Sequence, residues 1–243
     1  MLPPLVASTA RVSVAYGAAS PQCLQWVESG HSHELVTPLA RARYLAIMKP
    51  DRTEFFSDAV LAIAITLLIL EIRVPTEGRL GPALLHLWPS YVAYAISFLV
   101  IGAIWLNHHL MFAKFEKVDT TLQIWNLLAL MAVAFLPFPT AVLAGALHSG
   151  QDQNIATALY GATLAVGGVF VNLTWYHAVR AGLLKSSPVP DDVKRVGRHY
   201  LVGPTVYAIA ALVGLFVPVL ALATYAFLNL FYFWPRKRSQ RAS

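Results

Sequence analysis

The sequence predicts an all-α, polytopic membrane protein with six transmembrane helices. Hydrophobic residues make up 57% of the 243 and charged residues only 12%, a balance outside that of ordinary soluble domains. The apolar residues gather in long runs, at about 54–74, 84–112, 121–147, 155–184, 199–216 and 218–235. These runs are too long and continuous for barrel strands, and a backbone in lipid must satisfy its own hydrogen bonds, so they read as helices. Basic residues alternate with the runs in a way that sets an orientation.

With six spans, one side collects Arg41, Arg43, Lys49, Arg52, Lys114 and Lys117, then Arg180, Lys185, Lys194, Arg195 and Arg198, and last Arg236, Lys237, Arg238 and Arg241. The other side keeps Arg73 and Arg79. The bias puts both termini in the cytoplasm. The net charge of +6 is thereby explained by topology, and no nucleic-acid partner is inferred from it.

Residues 1–50 differ from the rest: Pro3, Pro4, Pro21, Pro38 and Pro50 interrupt them and no helical period is sustained. A poorly ordered N-terminal extension is expected, with Met48 a natural start just ahead of the first span. Leu2 to Ala10 lacks the basic flank of a signal sequence, and Arg11 cuts the run short. Cys23 is the single cysteine, which excludes an intrachain disulfide and a thiolate metal cluster. His31 and His33 alone do not make a metal site.

The first span has a polar head and an apolar body. Asp51, Thr53 and Glu54 offer acceptors and suitable charge at a helix N-terminus. Phe55 to Ile72 then gives 18 residues, roughly 27 Å, about one bilayer core. At ~100° per residue, Ile63, Thr66, Leu67 and Leu70 share an arc of roughly 100°, while Asp58 points to the far side. A carboxylate at a membrane entrance is costly, so Asp58 is a functional candidate. A static salt bridge or cap is the competing reading. Val74-Pro75 ends the span, because proline disfavours helix in the residue before it.

The second span runs from Trp88-Pro89 to Trp105, Asn107, His108 and His109, and its polar end falls at about the depth of Asp58. Adjacent helical histidines point ~100° apart, so a hydrogen-bond network suits them better than a metal. The third span opens at Asp119, carries Gln123, Trp125 and Asn126 early, and is expected to kink at Pro137 and Pro139. The fourth holds Gly161, Gly167 and Gly168, which permit close helix approach, and Asn172, Thr174 and His177 near its inner end. One helix over 199–235 would measure about 55 Å, so the run is broken near Gly214 to Pro218. Residues 236–243 form a basic cytoplasmic tail.

The motif Arg52-x-x-x-Phe56-Ser57-Asp58, with the apolar run after it, resembles the signature of the transmembrane protein 175 family of potassium channels. Agreement continues at Trp105-x-x-His108-His109-x-x-Phe112, Asp119, Asn126 and Leu136-Pro137-Phe138-Pro139-Thr140, over about residues 48–235. One signature and six spans match the bacterial single-repeat form. The resemblance implies a homotetramer in the cell membrane whose four first helices line a central pore. It places hydrophobic constriction layers at Ile63, Leu67 and Leu70 and a hydroxyl layer at Thr66. It also implies a structural and gating network joining Arg52, Phe56, Ser57 and Asp58 to Trp105, His108 and Asn126.

The expected function is thus a moderately potassium-selective, leak-type channel with no cofactor, whose partners are lipid, the permeant potassium ion and other copies of the chain. No Thr-Val-Gly-Tyr-Gly loop is present, so a filter of backbone carbonyls is not expected. The alternative is a proton pathway or secondary transporter built on Asp58 and the inner histidines. That class favours inverted repeats and helices broken at mid-membrane, and neither is visible. Enzyme motifs such as Gly-x-Ser-x-Gly and His-Glu-x-x-His are absent.

Overall fold

A computed structural model of the chain describes residues 48–76, 78–185 and 190–233. The N-terminal extension up to residue 47, with Cys23, His31 and His33, lies outside the described residues, as does the tail 236–243. The described part is all-α. Helix α1 spans Pro50–Leu67 and tightens into a 3₁₀ turn over Leu68–Glu71. Then come α2 (Leu80–His86), α3 (Trp88–Phe112), α4 (Thr120–Phe135), α5 (Pro137–Ser149), α6 (Gln153–Arg180), α7 (Pro190–Gly214) and α8 (Pro218–Phe233).

Among the described residues, four helices are long and apolar enough to cross a membrane: Pro50–Glu71, Trp88–Phe112, Thr120–Ser149 and Gln153–Arg180. The molecule is therefore a polytopic helical membrane protein. The last two expected spans do not meet the same standard. Helix α7 has 25 residues, but it starts nine residues before the expected span and its first turns hold Asp191, Asp192, Lys194, Arg195 and Arg198. Pro218–Asn229 is apolar but short.

Local chemistry explains the other departures from the sequence reading. The N-cap of α1 is Lys49 in an extended conformation without a side-chain cap bond, so the start is set by Pro50, whose fixed φ suits the first helical position, and not by the expected acceptors. Met48 adds a two-way backbone pairing with Val118, 2.9 Å in each direction. Residues 84–87 are not part of the second span. Pro89 cannot donate to the carbonyl four residues back, and the chain divides at Leu87 into the short α2 and the long α3. Leu136, between α4 and α5, keeps right-handed helical angles. The prolines at 137 and 139, which carry no backbone N–H, mark the junction where one helix ends at Phe135 and the next begins at Pro137. Asp119 caps α4, accepting the Leu122 backbone N–H at 2.8 Å. Gly150 closes α5 in the left-handed conformation, φ 73°, where glycine bears no Cβ penalty.

The interior falls into two apolar clusters. The larger joins Leu61 and Leu68 of α1 to Val100, Ile101, Leu136, Leu143, Tyr160 and Tyr225. Within it, Ser97 bonds to Thr140 (2.8 Å) and Tyr160 (3.0 Å), and Tyr225 donates to the Thr157 carbonyl (3.0 Å), so these buried hydroxyls are paired. The smaller cluster packs Phe112, Phe115, Val118 and Leu122 against Trp175 and Leu183. It lies where the α3–α4 loop meets the end of α6, through Glu116 N–H to the Leu183 carbonyl (2.8 Å) and Lys185 N–H to the Lys114 carbonyl (2.9 Å).

Glycines let α6 sit close to three neighbours. A Cβ at Gly167 would lie 3.2 Å from the Ala132 Cβ, and one at Gly168 would lie 2.8 Å from Pro204. At Gly161 a Cβ would collide with the Tyr225 hydroxyl and approach Ala211 to 2.9 Å. Gly161→Ala should therefore destabilise the protein by about 1–3 kcal/mol through overpacking. Gly145→Ala, where a Cβ meets nothing within 4 Å, should stabilise by about 0.5–1 kcal/mol. Thermal unfolding in detergent measures both, and equal midpoints for the two variants would contradict this packing.

Candidate functional site

Helix α1 has two sides of opposite use. Ser57, Leu61, Ala64 and Leu68 are buried at spacings of four, three and four, one continuous stripe of a helix, packed against α3 and α4. The other side is apolar yet uncovered by the chain's own helices: Ile63 is 58% exposed, Leu67 41% and Leu70 71%. Thr66 lies on this exposed side and donates its hydroxyl hydrogen to the Ile63 carbonyl at 2.8 Å. Its oxygen keeps lone pairs for an outside partner. Leu70 sits in the 3₁₀ turn, where residues three apart eclipse, so it lines up with Leu67 more closely than an ideal α-helix would allow.

At the polar end of α1, side chains from three helices meet. Ser57, fully buried, donates to the Thr53 carbonyl at 2.8 Å. Asn126 of α4, 2% exposed, donates its amide to Ser57 Oγ at 2.9 Å. The Asn126 carbonyl oxygen then accepts from His108 Nε2 at 2.9 Å. These roles follow from the network: the Ser57 hydrogen is spent on Thr53, so Ser57 must accept from Asn126, and His108 must donate. His108 is held face to face with Phe112, ring centroids 4.2 Å apart.

A second tie lies beside the first. Trp105 donates its indole N–H to Asp58 Oδ1 at 3.1 Å. Thus Ser57, Asp58, Trp105, His108 and Asn126 come together at the base of α1, in two adjoining hydrogen-bonded groups. Arg52 and Phe56 are not drawn in. Both are exposed, Arg52 has no hydrogen bond or ion pair among the described residues, and Phe56 is seven positions from Ile63 and shares its face.

Two contacts escaped the sequence reading. Glu54 meets His109 Nδ1 at 2.8 Å. Helices α1 and α3 run antiparallel, so one turn down α1 from Asp58 and one turn along α3 from Trp105 reaches this very pair. The register was therefore recoverable once the first contact was known. Asp119 also holds His177 Nε2, at 2.8 and 3.0 Å to its two oxygens, and so ties the cap of α4 to the last turn of α6. No spacing rule connects residues 58 apart. Among the described residues, no group of three or more His, Cys, Asp and Glu side chains is placed to hold a metal.

This geometry can be set beside known proteins. Residues 52–137 match the model of a family described as the endosomal/lysosomal potassium channel TMEM175. A potassium channel of Streptomyces collinus is 40% identical over 185 residues, covering 74% of this chain and 90% of that protein. The chain belongs to the TMEM175 family of potassium channels. A second family member, a potassium channel of Chamaesiphon minutus, is 43% identical over 166 residues, covering 65% of this chain and 81% of that protein. The crystal structure of a lysosomal potassium-selective channel TMEM175 homolog from Chamaesiphon minutus superposes with a TM-score of 0.68 at 35% identity, covering 75% of this chain and 95% of that one. TMEM175 proteins of this kind are ion channels and not enzymes.

The Ser57–Asn126–His108 chain should be sensitive to its middle member. Asn126→Leu keeps the size but strands Ser57 and His108 in the interior, at a cost of about 2–3 kcal/mol. Ser57→Ala leaves one Asn126 donor unpaired and should cost about 1–2 kcal/mol. The midpoint of thermal unfolding in detergent should fall in that order, and an unchanged midpoint for Asn126→Leu would rule out the network as a fastening.

Proposed function

We propose that four copies of this chain form a potassium-permeable, leak-type channel in which the exposed stripe of α1 lines a central pore. The carrying observation is the two-sidedness of α1 in a member of a potassium-channel family. One side is fastened to its own chain, while Ile63, Thr66, Leu67 and Leu70 face away from it. A closed ring of identical subunits turns one residue into a layer around the axis. Ile63, Leu67 and Leu70 then become apolar constrictions and Thr66 a ring of hydroxyls.

The chemistry of such a pore follows from its walls. A narrow ring of isoleucine side chains gates by dewetting. When wide enough to pass an ion, it strips part of the hydration shell, and potassium sheds water more readily than sodium. The Thr66 oxygens, which accept no hydrogen bond from the described residues of the chain, replace part of the lost water. A moderate preference for potassium results without tailored carbonyl ligands. Phe56, on the same face as Ile63, lines the pore's inner mouth in this reading.

The full arrangement has six spans, with α7 and α8 as the last two and both termini in the cytoplasm. The basic residues on the inner side support that orientation. The charged first turns of α7 then lie at the inner interface and its apolar remainder enters the bilayer. Asp58 and His108, which a proton pathway would need in one relay, bond instead to different partners, Trp105 and Asn126. This favours a fastening role for both.

Reversal potentials under opposed potassium and sodium gradients test the proposal. Reconstituted wild-type protein should prefer potassium, and Ile63→Asn should drive the permeability ratio toward one while raising leak. An unchanged ratio and current in Ile63→Asn would remove Ile63 from the conduction path.

A further inference from the structure

A groove of about 620 Å³ runs between α6 and α7 on the outside of the chain, lined by Ala165, Val169 and Leu173 on one side and Leu201, Ala208 and Leu212 on the other. The two helices are antiparallel neighbours. Asn172 donates to the Tyr200 carbonyl at 2.8 Å, and a Cβ on Gly168 would meet Pro204, so the floor is closed. Much of the polarity of its wall is spent within the protein. Both Asn172 amide hydrogens are used, on the Gly168 and Tyr200 carbonyls, and Thr205 donates to the Leu201 carbonyl. From Ala165 to Tyr176 the groove is roughly 16 Å long, about half a bilayer core. These dimensions and walls suit a hydrocarbon chain from one leaflet.

The inner end of the groove has the opposite character. Tyr176 lines it, and Arg180, one turn further, lies over the Tyr176 ring at 5.2 Å while donating to its hydroxyl at 2.8 Å. That contact uses one of five guanidinium donors. At 100° per residue, Arg180 falls on the α6 face that lines the groove, and Lys194 and Arg198 fall on the matching face of α7. All three are exposed. Charged groups therefore sit at one mouth of an otherwise apolar slot.

We propose that this groove is a binding site for an anionic phospholipid, one acyl chain lying along α6 and α7 and the phosphate held by Arg180, Lys194 and Arg198. Basic pockets between membrane helices on the cytoplasmic side bind anionic headgroups by this combination of charge and apolar length. The site lies away from α1, and its occupancy does not depend on conduction. It uses the proposed six-span topology only to assign the lipid to the inner leaflet.

The test is native mass spectrometry of the delipidated full-length protein, incubated with equal amounts of dioleoyl phosphatidylglycerol and dioleoyl phosphatidylcholine. Phosphatidylglycerol should be retained preferentially. Arg180→Gln and Arg198→Gln should each lower its retention about fivefold. Ala208→Trp, which fills the exposed groove without touching a charge, should lower retention of both lipids. Size-exclusion profiles matching wild type establish that each variant still assembles. Equal retention of the two lipids would overturn the proposal, as would arginine variants without effect. Retention that falls with the arginine variants but not with Ala208→Trp would put the lipid elsewhere. Binding of neither lipid would overturn the proposal as well. Because bound lipid mass is the readout, these failures are separate from any failure of the channel reading.

Discussion

The rotation of α1 about its own axis is the constraint on which the rest depends. Turning an amphipathic helix by one residue's worth, ~100°, would swap its buried stripe for its exposed one. Three kinds of contact hold the angle. Leu61, Ala64 and Leu68 are packed to within 1% of full burial. Ser57 is bonded through Asn126 to His108. Asp58 and Glu54 reach Trp105 and His109 on α3. The apolar contacts are non-directional and tolerate some slippage, whereas hydrogen bonds fix an angle. The polar residues near the base are therefore best understood as the parts that aim Ile63, Thr66 and Leu67.

That division of labour explains why an apolar helix keeps a carboxylate and a serine. A charge or an unpaired hydroxyl in a membrane segment is expensive, but each one here has a partner. Met48 adds a backbone pairing with Val118, next to Asp119, which caps α4 and is held in turn by His177. The base of α1 is thus linked through the α3–α4 loop to the end of α6. Its far end tightens into a 3₁₀ turn before Pro75, bringing Leu70 nearly over Leu67. The outward stripe is fixed at its base and straightened at its tip.

Much of this was legible in the residues. The polar head of α1 and its two faces followed from period and charge. The break between Gly214 and Pro218 followed from length. The partners were harder. That Ser57 and Asp58 meet Trp105, His108 and Asn126 as a group was implied by a family resemblance and not by spacing, and which pairs with which was not, because inter-helix register is set by packing. Glu54–His109 and Asp119–His177 went unseen for the same reason, although the first follows by one helical turn from Asp58–Trp105. Arg52 and Phe56 were grouped with the network because they belong to the same motif, yet sequence proximity on a helix does not give a shared face. The second span was drawn too long because Leu84, Leu85 and Leu87 read as its first apolar residues, and only Pro89 marks the division. The α6–α7 groove had no sequence signal at all, since its walls look like any other lipid-facing residues.

The central claim is that the outward stripe of α1 meets its counterpart in other copies of the chain. Oxidative crosslinking in native membranes tests this most directly, with Cys23 replaced by serine and single cysteines placed at Ile63, Leu70 or Leu61. The account predicts covalent dimers from Ile63→Cys and Leu70→Cys, and none from Leu61→Cys, which is buried in its own chain. Monomers at all three positions, with Ile63→Cys labelled only by a lipid-soluble thiol reagent, would put the stripe against lipid and contradict it.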